Sequence, residues 1–271
     1  MQHTDRLTAP AARPALASTG ISVVLPAYNE AAIIEYTVID VDMVLRALTS
    51  EYEIIVVDDG SRDDTHAVLM RLSEEQPGLP LRVVRHQQNQ GYGAALASGF
   101  DAATRELIFM TDADGQFDVA ELERFLLALD PATDMVIGWR ERRADPPMRL
   151  LNAAGWKLLV NGLFGYTARD VDCAFKLFRR RVWQQVTVHA RGATFSAELL
   201  IKARRLGFRV HELPVRHLPR TAGQATGARL DVIVRAFREL FQLWRHLDDE
   251  LADDRAVLAG RAPAARQRPA A

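Results

Sequence analysis

The chain carries a single cysteine, Cys173, in 271 residues. That excludes an internal disulfide framework and any cysteine-built metal site, and it fits a reducing, cytoplasmic setting. No apolar run approaches the roughly 18–20 residues that cross a bilayer. Residues 1–20 lack the sustained hydrophobic segment of a secretory signal and read as a flexible lead-in. Excess charge of one sign is missing too. Lys and Arg number 34 against 35 Asp and Glu, a formal net charge of -1, so nothing global points to nucleic acid. No internal repeat is present.

What is present is an ordinary soluble composition, 48% hydrophobic and 25% charged, in a chain long enough to bury a sizeable core. The expected organisation is the lead at 1–20, a folded body at 21–228, an amphipathic helix at 229–250 and a disordered tail at 251–271, rich in Ala, Arg and Pro.

The informative stretch is Leu107–Phe117, LIFMTDADGQF. Four apolar residues predict a short buried strand, with Asp112, Ala113 and Asp114 at its C-terminal end. Strand ends are where ligands gather in a parallel sheet. Two carboxylates one residue apart can face one hard cation, and Mg²⁺ or Mn²⁺ keeps coordination positions free for substrate phosphates. A lone DxD also suits a polar turn capping a helix, so the rest of the chain has to decide.

Ile21–Leu25 predicts a first strand stopped by Pro26, and Asn29 a cap for a helix from Glu30 to Leu48. Tyr52–Val57 predicts a second strand ending in Asp58, Asp59 and Gly60. Ser61 or Asp63 suits the cap of the next helix, to about Glu75. Leu81–Arg85 predicts a third strand, followed by a glycine turn and a helix to about Ala103. Beyond the central strand, Val119–Leu129 predicts a helix and Met135–Gly138 a strand. Strand and helix alternate four times, which implies parallel pairing. The fold class is therefore α/β, a mixed, mostly parallel central sheet flanked by helices. Such a sheet would gather Tyr28, Glu30, Asp58, Asp59, Gly91, Asp112 and Asp114 at one edge.

The second half is less regular. Pro147–Phe164 predicts a helix, Ala174–Phe178 a strand holding Lys176, Ser196–Leu206 a helix capped by Ser196, and Arg209–Val215 a strand. Leu230, Ile233, Val234, Phe237, Leu240, Phe241, Trp244 and Leu247 recur at helical spacing as one apolar stripe. Core packing, a membrane surface and a dimer contact are all open to such a helix.

Four motifs, PAYNE at Pro26–Glu30, VVDDGSRDDT at Val56–Thr65, QGYGAAL at Gln90–Leu96 and TDADGQ at Thr111–Gln116, together resemble the inverting glycosyltransferases of family 2, whose fold is the GT-A type. GWRERRADP at Gly138–Pro146, DVDCAFKLFRR at Asp170–Arg180, SAELL at Ser196–Leu200 and LPVRHLPRTAGQATG at Leu213–Gly227 narrow the likeness to polyprenol- or dolichol-phosphate sugar synthases. The resemblance covers about Ile21 to Leu247.

That likeness implies roles. Pro26, Tyr28 and Glu30 would frame the nucleotide, and Asp58 would accept from the base, while Asp59 shapes the turn. Gly91 and Gly93 would let backbone approach the ligand. Asp112 and Asp114 would hold Mg²⁺ or Mn²⁺, with Ala113 beside the donor and Gln116 as a further oxygen ligand or sugar contact. Arg140, Lys176 and Arg220 would meet phosphates, Arg149 with them; Lys176 earns its place because an unpaired charge in an apolar strand is costly. Glu198 would orient the acceptor or a basic neighbour, Cys173 would simply be buried, and His217 would hydrogen-bond within its loop.

The implied reaction moves a sugar from a GDP- or UDP-linked donor to a polyprenyl phosphate. A phosphate monoester is largely ionised near pH 7 and needs no dedicated base. Relatives that glycosylate a sugar hydroxyl, in cell-wall or exopolysaccharide synthesis, bring a carboxylate. Ser196 stands where they carry an Asp, although Asp172 is left as a candidate base. The acceptor implies peripheral contact with the inner face of the cytoplasmic membrane, and the last helix leaves a homo-oligomer open.

Overall fold

The structure is a computed structural model that describes residues 19–141, 147–219 and 230–259, with side chains from 154 onward in the helix that opens at Pro147 and from 235 onward in the last helix. Among the described residues, seven strands make one sheet. They are β1 (Ile21–Ala27), β2 (Tyr52–Asp58), β3 (Leu81–Arg85), β4 (Leu107–Met110), β5 (Met135–Arg140), β6 (Lys176–Arg179) and β7 (Val210–Val215). Their order is β3-β2-β1-β4-β6-β5-β7. The first four run parallel. β6 is antiparallel to both β4 and β5, and β7 parallel to β5. This is the mixed, mostly parallel sheet that the alternation of apolar runs and amphipathic stretches predicts.

Helices α1 (Ile34–Leu48), α2 (Thr65–Glu75) and α3 (Tyr92–Ala102) make the first three crossovers, and α4 (Leu122–Ala128), entered through a 3₁₀ turn, follows β4. Strands β1, β2 and β4 are almost wholly buried, which is why their sequences are continuous rather than alternating. Phe175 closes the core between β4 and α4, its ring 4.7 Å from both Phe109 and Phe125.

Several boundaries differ from those the sequence predicts. Pro26 does not stop β1; the strand runs on to Ala27, and Pro26 pairs with Val57. β4 pairs with β1 only as far as Val24, so the missing proline N–H falls where that neighbour has ended. The first helix begins at Ile34, because Asn29 adopts φ 58° and turns the chain instead of capping it. Asp64 stands at the head of α2 without a side-chain cap. Ser196 lies inside α7 (Phe195–Arg205), whose preceding residue is Thr194.

The last helix, here α8 (Leu230–Leu258), continues past the expected boundary at 250; α5 (Pro147–Phe164) and the short α6 (Arg180–Gln185) complete the set. The single expected stripe on α8 divides. Leu240, Leu243, Leu247 and Leu251 are buried, whereas Phe237, Phe241 and Trp244 are 52%, 55% and 51% exposed. Polar bonds secure the inner face. Asp254 accepts from the Thr187 hydroxyl at 2.6 Å, and Thr194 donates to Glu239.

Lys202, fully buried on α7, is the centre of this docking. Its ammonium lies 2.7 Å from Glu198 Oε1, 2.5 Å from Glu250 Oε2 on α8 and 2.7 Å from the Thr187 carbonyl. Removing one partner from such a group leaves opposite charges buried without compensation. Lys202→Met is therefore expected to cost about 3 kcal/mol of unfolding free energy, read as a lower urea midpoint, with Glu250→Gln milder because that carboxylate is a quarter exposed.

Candidate functional site

The parallel strands β1, β2 and β4 end at one edge, and the loops leaving them are stitched together. Asn29 N donates to Ser61 Oγ at 3.0 Å, and Arg62 N donates back to Asn29 Oδ1 at 2.8 Å. Glu30 N donates to Thr65 Oγ1 at 2.9 Å and Ala31 N to Asp63 Oδ2 at 3.1 Å. The turn after β1 is thus built on the turn after β2. Asn at φ 58° fits, since its short polar side chain tolerates the left-handed region.

Asp59 joins the next loop. Buried, it accepts from Gln90 N and Gly91 N at 2.9 Å each, and pairs with His86 Nδ1 at 2.6 Å. Gly91 has φ 104°, a conformation that a side chain would strain. A Cβ on Gly91 would meet the Arg191 carbonyl oxygen at 2.6 Å, and one on Gly93 would meet Phe195 Cβ at 2.7 Å. What these glycines admit in this structure is the 190–195 segment, through its backbone and Phe195 Cβ. Asp59 shaping the turn matches expectation.

The carboxylate pair follows β4. Ala113, between the two, is buried, and its carbonyl accepts from the Thr37 hydroxyl of α1 at 3.0 Å. Asp114 is buried and accepts from Gln116 N at 3.1 Å. Asp112 accepts from the Tyr92 hydroxyl at 3.0 Å. Loss of solvent first, and the neighbouring Asp114 charge second, push the Asp112 carboxyl up to about 6. A like charge beside a carboxylate raises its charging cost, and Asp114 does so for Asp112. Among the described residues no third His, Cys or carboxylate joins them. A hard cation held by two protein oxygens, with its other positions open to phosphate, suits this donor set.

The remaining expected residues divide. Pro26, Tyr28 and Glu30 line the first turn, Tyr28 half-buried. Asp58 is fully buried; its Oδ1 accepts from Ser61 N at 2.9 Å, and its Oδ2 lies 3.6 Å from both Arg85 Nε and His66 Nδ1. Gln116 Nε2 donates to the Leu218 carbonyl at 3.0 Å, tying the acidic loop to the chain after β7. Beside it, Phe117 and His217 form an isolated antiparallel bridge with rings 5.5 Å apart.

Arg140 and Lys176 meet partners other than a phosphate. Arg140 makes a two-pronged pair with Asp170, at 2.6 and 2.8 Å. Burial alone would lower its guanidinium, but the Asp170 carboxylate outweighs that and raises it. Lys176 is fully buried, and its ammonium donates to the carbonyls of Cys173 and, at 3.3 Å, Val171. Burial lowers its pKa. The apolar strand demanded a partner for Lys176, and backbone carbonyls met that demand. Glu198 is spent as well: it accepts from His189 N and Ala190 N at 2.9 and 2.8 Å. Cys173 is buried as expected, its thiol pushed up to about 12 by that burial. Asp172 is exposed. Arg220 lies outside the described residues, as does the Arg149 side chain.

Tyr92 is the residue that sequence reasoning passed over. Its motif was noted for two glycines, yet the aromatic between them, first in α3, is the one that touches Asp112.

A family model described as "Glycosyl transferase family 2" matches residues 22–187, more than half of the chain. A dolichyl-phosphate beta-glucosyltransferase of Trichomonas vaginalis is 34% identical over 219 residues, 73% of this chain and 66% of that protein. An undecaprenyl-phosphate 4-deoxy-4-formamido-L-arabinose transferase of Enterobacter sp. is 29% identical over 76% of this chain and 62% of its own. The chain thus spans about two thirds of the length of these curated relatives. Among solved structures, glucosyl-3-phosphoglycerate synthase of Mycobacterium tuberculosis with UDP superposes at TM-score 0.62 with 24% identity, covering 86% of this chain and 82% of that one. The same enzyme with Mn²⁺, UDP and product gives TM-score 0.61 at 21% identity, covering 94% and 86%. The fold is accordingly the GT-A type. With its motifs, sheet order and matched span in agreement, the chain belongs to glycosyltransferase family 2.

Proposed function

We propose that the chain transfers a sugar from a nucleotide-diphosphate sugar to a polyprenyl phosphate, using Mg²⁺ or Mn²⁺. The observation that carries the donor half is the Asp112–Asp114 pair, at the sheet edge where the β1 and β2 turns are hydrogen-bonded into one platform. Asp112 and Asp114 would hold the cation, which when bound supplies positive charge to the departing diphosphate. Pro26, Tyr28 and Glu30 would seat the nucleotide, Tyr28 offering its ring to the base. Asp58 Oδ2 would accept from the base once Arg85, half exposed, moves aside. The named relatives act on dolichyl and undecaprenyl phosphates, which supports that class of acceptor here.

The geometry supports the acceptor half by subtraction. A hydroxyl acceptor needs a carboxylate to take its proton. Ser196 stands at the position expected for that base, and Glu198, two residues on, is occupied by two backbone N–H groups and Lys202. A phosphate acceptor arrives already ionised. Arg220 and Arg149 are the cations we assign to it. Arg140 acts through Asp170, and Lys176 through the carbonyls of the 171–173 turn, so both set the shape of that wall. The exposed Asp172 keeps the hydroxyl-acceptor reading in view.

The greasy acceptor calls for a membrane surface, and we place the reaction at its cytoplasmic face. No described helix is long and apolar enough to cross a membrane. The outer face of α8 supports surface contact instead. Phe237, Phe241 and Trp244 are exposed there, with Trp156 of α5 edge-on to Phe237 and Arg245 over the Phe241 ring. Aromatic rings beside arginines suit the boundary between headgroups and acyl chains.

Asp114→Ala is expected to lose turnover at least ~100-fold together with the Mn²⁺-induced rise in unfolding temperature. Mass analysis of the wild-type product should give sugar-1-phosphoryl polyprenol; a hydroxyl-linked product lost in Asp172→Asn would instead establish the rival acceptor. Replacing both Phe241 and Trp244 by Glu should release the protein from vesicles containing polyprenyl phosphate in a flotation assay, while turnover of a short-chain, water-soluble acceptor persists.

The carboxylate pair also makes a stability prediction. Asp112 titrates higher folded than the ordinary carboxylate value of about 3.9, so the folded chain binds more protons through that window. Its contribution to stability therefore falls as pH rises from about 4 to 6, and above that the metal-free protein carries the whole penalty. Asp112→Asn should raise the metal-free unfolding midpoint by roughly 2–4 °C at pH 7.5, with no gain near pH 4, as read by calorimetry.

A further inference from the structure

We propose that Tyr92 is a positioning residue for the cation site: its hydroxyl, held against Asp112 Oδ1, fixes that carboxylate so that Oδ2 is delivered to the cation. The inference rests on the metal assignment made above and adds a residue that the acidic motif does not contain.

Three observations carry it. The first is contact. The Tyr92 hydroxyl donates to Asp112 Oδ1 at 3.0 Å, across 20 residues of sequence. An outer group that hydrogen-bonds a metal ligand restricts its rotation and so lowers the cost of assembling the site. Asp112 has need of this, because the Tyr92 hydroxyl is the group that fixes its Oδ1. Asp114 has its own brace in Gln116 N, and Tyr92 supplies the matching one.

The second is the fixing of Tyr92 itself. It is the first residue of α3, directly after Gly91 at φ 104°. The amides of Gln90 and Gly91 are both held by Asp59, one by each oxygen. Asp59 is held in turn by His86, whose other ring nitrogen lies 2.9 Å from Ser98 Oγ on α3. The ends of β2 and β3 and the body of α3 all converge on the two residues before Tyr92. His86 and Asp59 are both buried, so this brace does not yield readily to solvent.

The third is what Tyr92 does not do. It is 36% exposed and adds little to the core, so a brace of this quality is not needed for packing. A ring placed at the cleft with its one polar atom on a metal-binding carboxylate serves the carboxylate.

The test is the affinity of the metal alone. Mn²⁺ binding to wild type and to Tyr92→Phe would be followed by the electron paramagnetic resonance signal of free Mn²⁺, without donor or acceptor. Tyr92→Phe keeps the ring and removes one oxygen, and unchanged circular dichroism would certify the fold. About tenfold weaker Mn²⁺ binding is expected, with turnover recovering to the wild-type maximum at saturating Mn²⁺. That split separates placement of the cation from damage to the chemical step. Equal Mn²⁺ affinity in the two proteins would overturn the role of Tyr92 while leaving the metal assignment intact. Absence of Mn²⁺ binding by the wild type would overturn the metal assignment, and this inference with it.

Discussion

The arrangement of this protein answers one electrostatic problem, which is how to keep two carboxylates together at a sheet edge with no cation of the protein's own between them. Asp112 and Asp114 leave β4 one residue apart; burial first, and the Asp114 charge second, raise the Asp112 carboxyl. Hydrophobic burial of β4, with all four residues inaccessible, anchors the strand that presents them. The backbone between them is tied to α1 through Thr37, and each acid accepts a hydrogen bond. The core holds the pair where isolated charges would separate, and the proposed cation would relieve that cost. Binding energy and stability therefore oppose each other at this point, as is usual where a site is built in advance of its ligand.

Around that pair, the loops are organised by short polar side chains acting on backbone N–H groups. Asn29, Ser61, Asp63, Thr65 and Asp59 each bond to a loop other than their own or close their own turn. Such bonds are directional and satisfy backbone groups that a loop leaves over. A platform made this way is stiff without being apolar.

Much of this was legible from residues. Period and apolar runs gave the strands, because a strand buried on both faces is continuous in Val, Ile and Leu. The gathering of Tyr28, Asp58, Asp59, Gly91, Asp112 and Asp114 at one edge followed from parallel order alone. Two kinds of information were not legible. Pro26 inside β1 depends on where the neighbouring strand ends, a fact of register. The division of the α8 stripe depends on which arc of the helix meets the body; Phe237 and Leu240 look alike in sequence but only Leu240 is covered.

The harder failure concerned charge. A cation in an apolar strand must be compensated, and for Lys176 the structure supplies backbone carbonyls. Carbonyls freed at the irregular 171–173 turn are nearer and cost no ligand. Arg140 repeats the lesson with Asp170, and Glu198 with Lys202 and two amides. In each case the charge that looked functional organises the backbone that borders the site. Sequence reports that a buried charge has a partner, but the identity of that partner is decided by which polar groups the fold has left unsatisfied nearby. The backbone that borders the acidic pair is consequently shaped from behind by charged residues that the fold has already paired.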